Sequence, residues 1–179
     1  MPFTPLHMGP GLAIKAIAGH RFSVLTFGIA QVAMDIEPLV GLLRGADVLH
    51  GPTHTYLAAL VIAVVVAAVS PPICRPILRR WNRELFFHRL SWLVEPELST
   101  PVPVVVGALA GTISHVMLDS VMHSDISPLA PWSDANALLG LISIGTLHQF
   151  CIFAGLFGVV GWLAVAWHKQ RARVGRGKE

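Results

Sequence analysis

The sequence predicts an all-α, polytopic membrane protein with about five transmembrane helices, the first of them short, and one in-plane amphipathic helix. Composition is the first reason, because 54% of the 179 residues are hydrophobic and only 13% are charged, against about 25% charged residues in soluble domains. The second reason is a series of charge-free stretches close to the roughly 20 residues that cross a bilayer. The length predicts a single membrane domain, residues 1–168, followed by a basic tail, residues 169–179.

Composition also excludes other classes of protein. The apolar content excludes a disordered chain. The two cysteines, Cys74 and Cys151, are too few for a disulfide framework. Nine histidines in so apolar a chain are the first indication of a function.

The spans follow from the distribution of charge. Residues 55–74 and 98–118 contain no Asp, Glu, Lys or Arg, and residues 135–167 contain none either but are too long for one crossing. The first span is expected to be about half-length and broken at Gly9-Pro10-Gly11. In chain order the predicted spans are 6–19, 22–43, 55–74, 101–122 and 143–167.

The segment 77–94 mixes arginines with large apolar side chains. Arg79, Arg80 and Arg83 alternate there with residues such as Trp81 and Phe86. This mixture is typical of an amphipathic helix lying on the membrane surface, and we predict one here. A membrane anchor explains the basic cluster, so no nucleic-acid partner is expected.

Positive charge predicts the orientation, because Lys and Arg near short loops favour the cytoplasmic side. The two basic clusters, residues 75–89 and 169–178, are therefore placed in the cytoplasm. The C-terminus is then cytoplasmic, and the second and fourth spans run outward. The expected location is the inner membrane, in contact with the lipid bilayer.

Under this topology the polar side chains in or beside the spans collect at the outer ends of the helices. A carboxylate at a helix centre costs about 2.5 to 3.5 kcal/mol, and less near the interface, so these groups need partners. They come from four segments of the chain: His7, then Asp35 and Glu37, then His50 and His54, and finally His115, Asp119 and His123.

The last three of these residues follow one another at intervals of four. Each four-residue step turns a helix by about 400°, so His115, Asp119 and His123 are predicted to form a row on one helix face. Three polar side chains on one face of an apolar helix indicate a site. A lone residue such as His148 is explained more simply by a hydrogen bond between helices.

Local sequence gives further expectations around this row. Asp35 and Glu37 would point to opposite sides of a regular helix, but Pro38 is expected to break the helix and let both carboxylates turn inward. His54 is expected to open the third helix with Thr53 as its N-cap. Three other carboxylates are expected in solvated outer loops: Asp47, Asp125 and Asp134.

Neutral imidazoles mixed with carboxylates are the ligands of zinc and related divalent ions. A catalytic zinc takes about three protein ligands and a water, so the candidates exceed the needs of one ion. They suit either two ions or one ion with further carboxylates that orient the histidines.

Four motifs carry this pattern: Thr4-Pro5-Leu6-His7, Asp35-Ile36-Glu37, Gly51-Pro52-Thr53-His54-Thr55, and Ser114-His115-Val116-Met117-Leu118-Asp119-Ser120 followed by Pro128 and Pro131. In this order they resemble the family of inner-membrane-associated metal-dependent hydrolases, over most of residues 4–160. His50 stands where that family often has Arg, and Glu37 where it often has a second Asp. The pattern is also similar, more weakly, to zinc phospholipase C and nuclease enzymes, which implies hydrolysis of phosphoesters.

We therefore expect an integral membrane metal-dependent hydrolase that acts on a phosphoester or related bond of a lipid-linked or periplasmic substrate. A metal-bound hydroxide is the expected nucleophile, because a metal lowers the pKa of its bound water toward about 7. Glu37 and His123 are candidates for ligand or general base. The expected ligands are His7, Asp35, His50, His54, His115 and Asp119.

Two other functions fit parts of the pattern. Intramembrane His and Asp also mark ion paths, so a metal-ion or proton transporter is the first alternative. Such a path should continue to the cytoplasmic side, where the helices offer little beyond Lys15 and His168. The second alternative is a haem protein that uses His115 and His148, but it leaves Asp35 and Asp119 without a role.

The predicted topology can be tested by thiol labelling. An impermeant thiol reagent applied from outside should label Asp125→Cys or Asp134→Cys, and should not label Arg80→Cys or Arg173→Cys, because both basic clusters are placed in the cytoplasm. Labelling of Arg80→Cys from outside would invert the topology and move the site to the other face.

Overall fold

The structure is a computed structural model that describes residues 5–98 and 100–176, with side chains up to residue 172. Thr4 and the tail residues 177–179 lie outside the described residues. The α-helices are α1 (Met8–Ala18), α2 (Val24–Arg44), α3 (Tyr56–Phe87), α4 (Val102–Met122) and α5 (Ile144–Arg176). No strand occurs in the described part of the chain, and α2 to α5 are each long and apolar enough to cross a membrane. The predicted all-α, polytopic fold is confirmed.

The first helix is short, as predicted, but it is not broken. At 1.5 Å per residue its 11 residues span about 16 Å, roughly half of a hydrocarbon core. Pro10 lies in the first turn, where its missing N–H has no partner to lose. Gly9 and Gly11 allow close helix packing instead. A Cβ on Gly9 would overlap Cys151, and a Cβ on Gly11 would overlap Phe27.

Helix α2 begins at Ser23, whose side chain accepts a hydrogen bond from the Thr26 N–H (3.2 Å), and ends at Gly45 in a left-handed conformation. The predicted break at Pro38 is wrong, because the helix continues through this proline to Arg44. A proline costs a helix one backbone hydrogen bond, and neighbouring helices and side chains in a membrane bundle can compensate for it.

The predicted surface helix at 77–94 is also wrong as a separate element. Helix α3 runs without interruption from Tyr56 through Pro71, Pro72 and Pro76 to Phe87, and only a short 3-10 turn follows at Ser91–Leu93. At 1.5 Å per residue its 32 residues measure about 48 Å, more than the roughly 30 Å hydrocarbon core. The basic residues therefore occupy the end of α3 that extends beyond the apolar segment.

Two helix ends also differ from prediction. Thr55 is the N-cap of α3, in place of Thr53, and accepts a hydrogen bond from the Ala58 N–H (3.0 Å). Helix α5 begins at Ile144 as expected but continues to Arg176, so that residues 169–176 of the predicted tail are helical.

The helices alternate in direction. Helices α2 and α4 end where α1, α3 and α5 begin, and we call this end of the bundle the His/Asp end. The opposite end carries the C-terminal parts of α3 and α5, with their arginines, and we call it the basic end. Both basic clusters thus lie at one end, as the topology requires.

Two groups of helices make up the bundle. In the first, α1 and α5 lie parallel, and Gly9 of α1 meets the Cys151 backbone while Gly158 of α5 meets that of Leu12 and Ala13. In the second, α2, α3 and α4 pack together, with Gly111 of α4 against Ala30 and Phe27 of α2. The boundary between the groups, which runs between α1 and α2, is called the seam below.

The three-helix group is layered along the membrane normal. Near the basic end a buried hydroxyl cluster joins Thr26 to Ser23 (2.9 Å) and to Ser70 (3.3 Å). Above it lies a cluster of buried apolar side chains, those of Ala30, Ala63, Val66 and Ala108. A second apolar layer, Met34, Ala59 and Val116, follows just below the His/Asp end.

An ion pair closes the seam at the basic end. The Lys15 ammonium lies 2.6 Å from a Glu95 carboxylate oxygen and also donates to the Phe22 carbonyl at 3.3 Å. The Trp162 indole N–H donates to the other Glu95 oxygen at 3.1 Å. The Asn82 side chain holds the Glu95 backbone through two hydrogen bonds, of 2.7 and 3.1 Å. This contact links α1, α3 and α5.

The glycine contacts between α1 and α5 predict the effect of Gly158→Ala. A Cβ at this position would lie 2.4 Å from backbone atoms of Leu12 and Ala13, so the helices would have to separate. We expect a loss of about 1 to 3 kcal/mol of stability, measured as a lower Tm in detergent. Gly145→Ala is the matched control, because its nearest neighbour would be 3.8 Å away; equal Tm values for the two variants would contradict this packing.

Candidate metal centre

The predicted site residues meet around the Asp119 carboxylate at the His/Asp end. One Asp119 oxygen lies 3.5 Å from His7 Nε2, and the other lies 3.2 Å from His115 Nε2 and 3.7 Å from His54 Nε2. Asp35 also faces His115 Nε2, at 3.5 Å. All five side chains are buried. They come from the turn before α1, from α2, from the turn before α3, and from α4.

Gln31 fixes the proton on His115. The Gln31 amide nitrogen donates to the Gly111 carbonyl (3.1 Å) and to Ser114 Oγ (3.3 Å), so its oxygen is the atom that faces His115 Nδ1 at 2.7 Å. His115 Nδ1 therefore carries the proton and donates to Gln31. The lone pair of Nε2 is left pointing at the carboxylates of Asp119 and Asp35.

A similar argument applies to His54. The Thr53 hydroxyl donates to Glu37 through a short hydrogen bond, so it accepts from His54 Nδ1 at 3.2 Å. The Nε2 of His54 then also presents a lone pair to Asp119. Burial lowers the pKa of His54 to about 3 and that of His7 to about 4, so that both rings are neutral near pH 7.

Such an arrangement of lone pairs is unfavourable without a cation. Among the buried side chains that the structure describes, the atoms without a hydrogen-bond partner are Nδ1 and Nε2 of His7, Nε2 of His54 and Nε2 of His115. A buried polar atom without a partner costs about 1 to 3 kcal/mol, and here three Nε2 atoms face carboxylate oxygens. Zinc bonds of about 2.0 to 2.2 Å place two tetrahedral ligands about 3.4 Å apart, close to the observed separations. The residues fit a divalent metal ion.

Asp119 belongs to two groups of residues that could hold a metal ion. The first is His7, His115 and Asp119, and the second is His50, His54 and Asp119, with the ligand atoms of each group within 4.8 Å of one another. A third group, His50, His123 and Asp125, lies closer to the surface. A carboxylate shared by two groups suits a pair of ions as well as a single ion.

Asp125 is a residue that sequence reasoning missed, because we predicted it in a solvated loop. Its carboxylate lies 3.0 Å from His50 Nδ1 and accepts the backbone N–H groups of His50 (3.1 Å) and Leu49 (3.2 Å). Partial burial opposes ionisation, but these hydrogen bonds outweigh it and lower the pKa of Asp125. The pair leaves His50 Nε2 free, as in carboxylate–histidine–metal arrangements. The signal available in the sequence was its position two residues after His123.

Glu37 lies at the edge of the cluster and does not turn inward beside Asp35. Because α2 is unbroken at Pro38, the two carboxylates take different directions. Glu37 accepts the Thr53 N–H at 3.1 Å and lies 3.8 Å from His54 Nδ1. A Cβ at Gly51 would lie 2.5 Å from this carboxylate, so a larger residue there would have to displace the Glu37 side chain.

His123 leaves the predicted row of three. Helix α4 ends at Met122, and the extended backbone of His123 (φ −116°, ψ 124°) takes its ring away from His115 and Asp119. The ring lies against His50 instead, with 4.2 Å between the ring centroids. The other two loop carboxylates, Asp47 and Asp134, are exposed as expected.

Arg44 is the basic residue that the sequence places near this end, and its side chain is exposed. No Lys or Arg occurs in residues 1–14, 22–43, 45–74 or 101–167. Four carboxylates, of Asp35, Glu37, Asp119 and Asp125, therefore face no fixed cation in the cluster. Any negative charge on a ligand would have to be compensated by bound metal.

Comparison with known proteins gives one match. The family described as YdjM inner membrane protein matches residues 7–175, nearly the whole chain and all of the cluster. No curated protein and no solved structure matches. With its membrane-spanning helices and this match, the chain belongs to the YdjM inner membrane protein family.

Proposed function

We propose that this inner-membrane protein is a metal-dependent hydrolase of a phosphoester or related bond in a lipid-linked or periplasmic substrate, with its site at the outer face and its C-terminus in the cytoplasm. One observation carries the proposal: three buried imidazole Nε2 atoms without hydrogen-bond partners face the Asp119 carboxylate. Zinc is the ion that this ligand set suits best, as one ion or two.

The proposed ligands are Asp119, His115, His54 and His7, with Asp35 and His50 at either side. A bound divalent ion would lower the pKa of a water molecule and so supply the nucleophile. Gln31, Thr53 and Asp125 orient three of the imidazoles through their Nδ1 atoms.

Hydrolysis requires that the water oxygen bond to the substrate's phosphorus, that the ester P–O bond break, and that the leaving oxygen gain a proton. Glu37 and His123, at the more exposed edge of the cluster, are the candidates for moving protons between water and leaving group. A serine or cysteine nucleophile is not needed.

A transporter is less well supported by the packing. Below the cluster lie the buried apolar side chains of Ala30, Ala63, Val66 and Ala108, and the buried Thr112 hydroxyl donates to the Ala108 carbonyl at 3.2 Å. The next hydroxyl groups toward the basic end, of Thr26 and Ser70, bond to each other. An ion leaving the cluster would thus meet buried apolar side chains and hydroxyl groups that are already hydrogen-bonded.

A haem at His115 also fits poorly. Its Nε2 faces carboxylate oxygens at 3.2 and 3.5 Å, and its Nδ1 is bonded to Gln31. Neither nitrogen leaves room for a porphyrin. A visible absorption spectrum of the purified protein distinguishes the two cases, since a zinc site is colourless.

Metal analysis of Asp119→Asn tests the site directly. Asn keeps the shape of Asp119 but removes the charge that three imidazoles share, so we expect affinity for zinc to fall more than about 100-fold and hydrolase activity to be lost. Membrane insertion should be unchanged. The measurement is zinc content of detergent-purified protein, with titration of the metal-stripped protein.

The matched control is His88→Ala. His88 is exposed at the end of α3, and the helix places it about 50 Å from His54 at 1.5 Å per residue. It should keep full metal and activity. Full metal in Asp119→Asn, or loss of metal in His88→Ala, would overturn the proposed site, whereas a loss of about 10- to 100-fold would place Asp119 outside the ligand set.

Gln31 provides a test of the imidazole orientation. Gln31→Leu removes the acceptor for His115 Nδ1, so metal affinity should fall by about 10- to 100-fold. Gln31→Glu restores an acceptor and should recover much of that loss. If both variants bind metal equally weakly, Gln31 contributes packing rather than orientation.

A further inference from the structure

An apolar groove lies on the seam between α1 and α2. Its volume is about 420 Å³, and it is formed by Pro5 and Met8 on one side and by five residues of α2 between Val24 and Val32 on the other. None of these side chains carries a charge or a hydrogen-bonding group. Gly28 leaves the groove open, because a Cβ there would have Met8 as its nearest neighbour, at 3.4 Å.

One end of the groove lies next to the 3-10 turn that carries His7. At one end Pro5 is two residues from His7, and Val32 adjoins Gln31, the partner of His115. At the other end Val24 and Leu25 also line a larger cavity of about 530 Å³ that continues toward the basic end. The groove therefore runs from the turn that carries His7 to a cavity whose lining includes the Lys15–Glu95 ion pair.

The position of the groove identifies what can fill it. Helix α2 is long and apolar enough to cross the membrane, and Val32 at the groove is 50% exposed. Lipid is the medium that meets such a surface, so a hydrocarbon chain can enter sideways without leaving the bilayer. A chain that is already in the bilayer gains no further burial from water in the groove, so van der Waals contact with the groove walls would hold it there.

The charge of the metal centre limits how much negative charge the substrate headgroup can carry. Four carboxylates lie in the cluster and Arg44, at the end of α2, is exposed, so each additional negative charge on the substrate would have to be balanced by bound metal. A phosphodiester carries one negative charge, whereas a phosphomonoester carries up to two near pH 7. The cluster thus favours the diester.

We infer that the substrate is a membrane lipid whose acyl chain lies in the α1–α2 groove and whose phosphodiester headgroup reaches the metal centre. The inference rests on the proposed function for its chemistry, but the binding of the chain is independent of catalysis. Hydrolysis would release a phosphomonoester and an alcohol, of which one keeps the acyl chains.

Photolabelling tests whether the lipid acyl chain lies in the groove. The protein is placed in vesicles that contain phosphatidylglycerol with a diazirine in one acyl chain, and labelled peptides are identified by mass spectrometry. We expect labelling of residues 5–8 and 24–32 above that of the exposed α5 side chains Phe153 and Phe157. In Gly28→Leu this labelling should fall about tenfold, equivalent to roughly 1.4 kcal/mol of binding, while labelling of α5 and zinc content stay unchanged.

Three comparisons make the result decisive. Gly145→Leu, at a site whose Cβ would have a neighbour only at 3.8 Å, should label like the parent protein. Val32→Trp obstructs the groove from an exposed position and should repeat the loss if Gly28→Leu folds poorly. A lipid with the same chain and a phosphomonoester headgroup should compete less well than phosphatidylglycerol.

Different measurements would overturn the lipid site and the proposed metal-dependent hydrolysis. Unchanged groove labelling in both Gly28→Leu and Val32→Trp overturns the lipid site, whatever the metal results. Equal competition by the phosphomonoester lipid overturns the choice of headgroup. Asp119→Asn should keep its groove labelling, so that a metal centre disproved by zinc analysis leaves the chain-binding result intact.

Discussion

The arrangement at the His/Asp end depends on one carboxylate that faces several neutral imidazoles. Asp119 lies within 3.2 to 3.7 Å of Nε2 atoms from three histidines, each carried by a different segment of the chain. A carboxylate alone would be unstable among apolar helices, and so would imidazoles without partners. A positive charge between the carboxylate and the imidazoles would stabilise both. The surrounding hydrogen bonds orient the imidazoles for such a charge. Gln31, Thr53 and Asp125 all hold Nδ1 atoms and leave Nε2 free.

Much of the fold could be predicted because hydrophobic length is a strong signal in membranes. The spans near 55–74, 101–122 and 143–167 correspond to α3, α4 and α5. The errors arose at prolines and helix ends. Pro38 was expected to break a helix, yet it lies inside α2. Local preferences for proline come largely from soluble proteins, and packing in a membrane overrides them.

The cluster was predicted in its centre and missed at its edges. The four-residue spacing of His115 and Asp119 fixes a helix face, so their contact could be foreseen. His123 has the same spacing but falls one residue beyond the end of α4. Asp125 and Gln31 could not be assigned, because their roles depend on how separate segments meet in three dimensions. The spacing of residues within one helix therefore predicts their contacts better than a spacing that continues past the end of the helix.

The pairing of α1 with α5 brings together the first and last helices of the chain. His7 is attached to α1, whose packing surface is supplied by Gly155, Gly158 and Gly161 of α5. During synthesis α1 has no such partner until the final helix has entered the bilayer. A truncated chain would consequently hold Asp119 and His115 without His7, and the cluster would be completed last. The order of the helices thus delays completion of the cluster until α5 has entered the membrane.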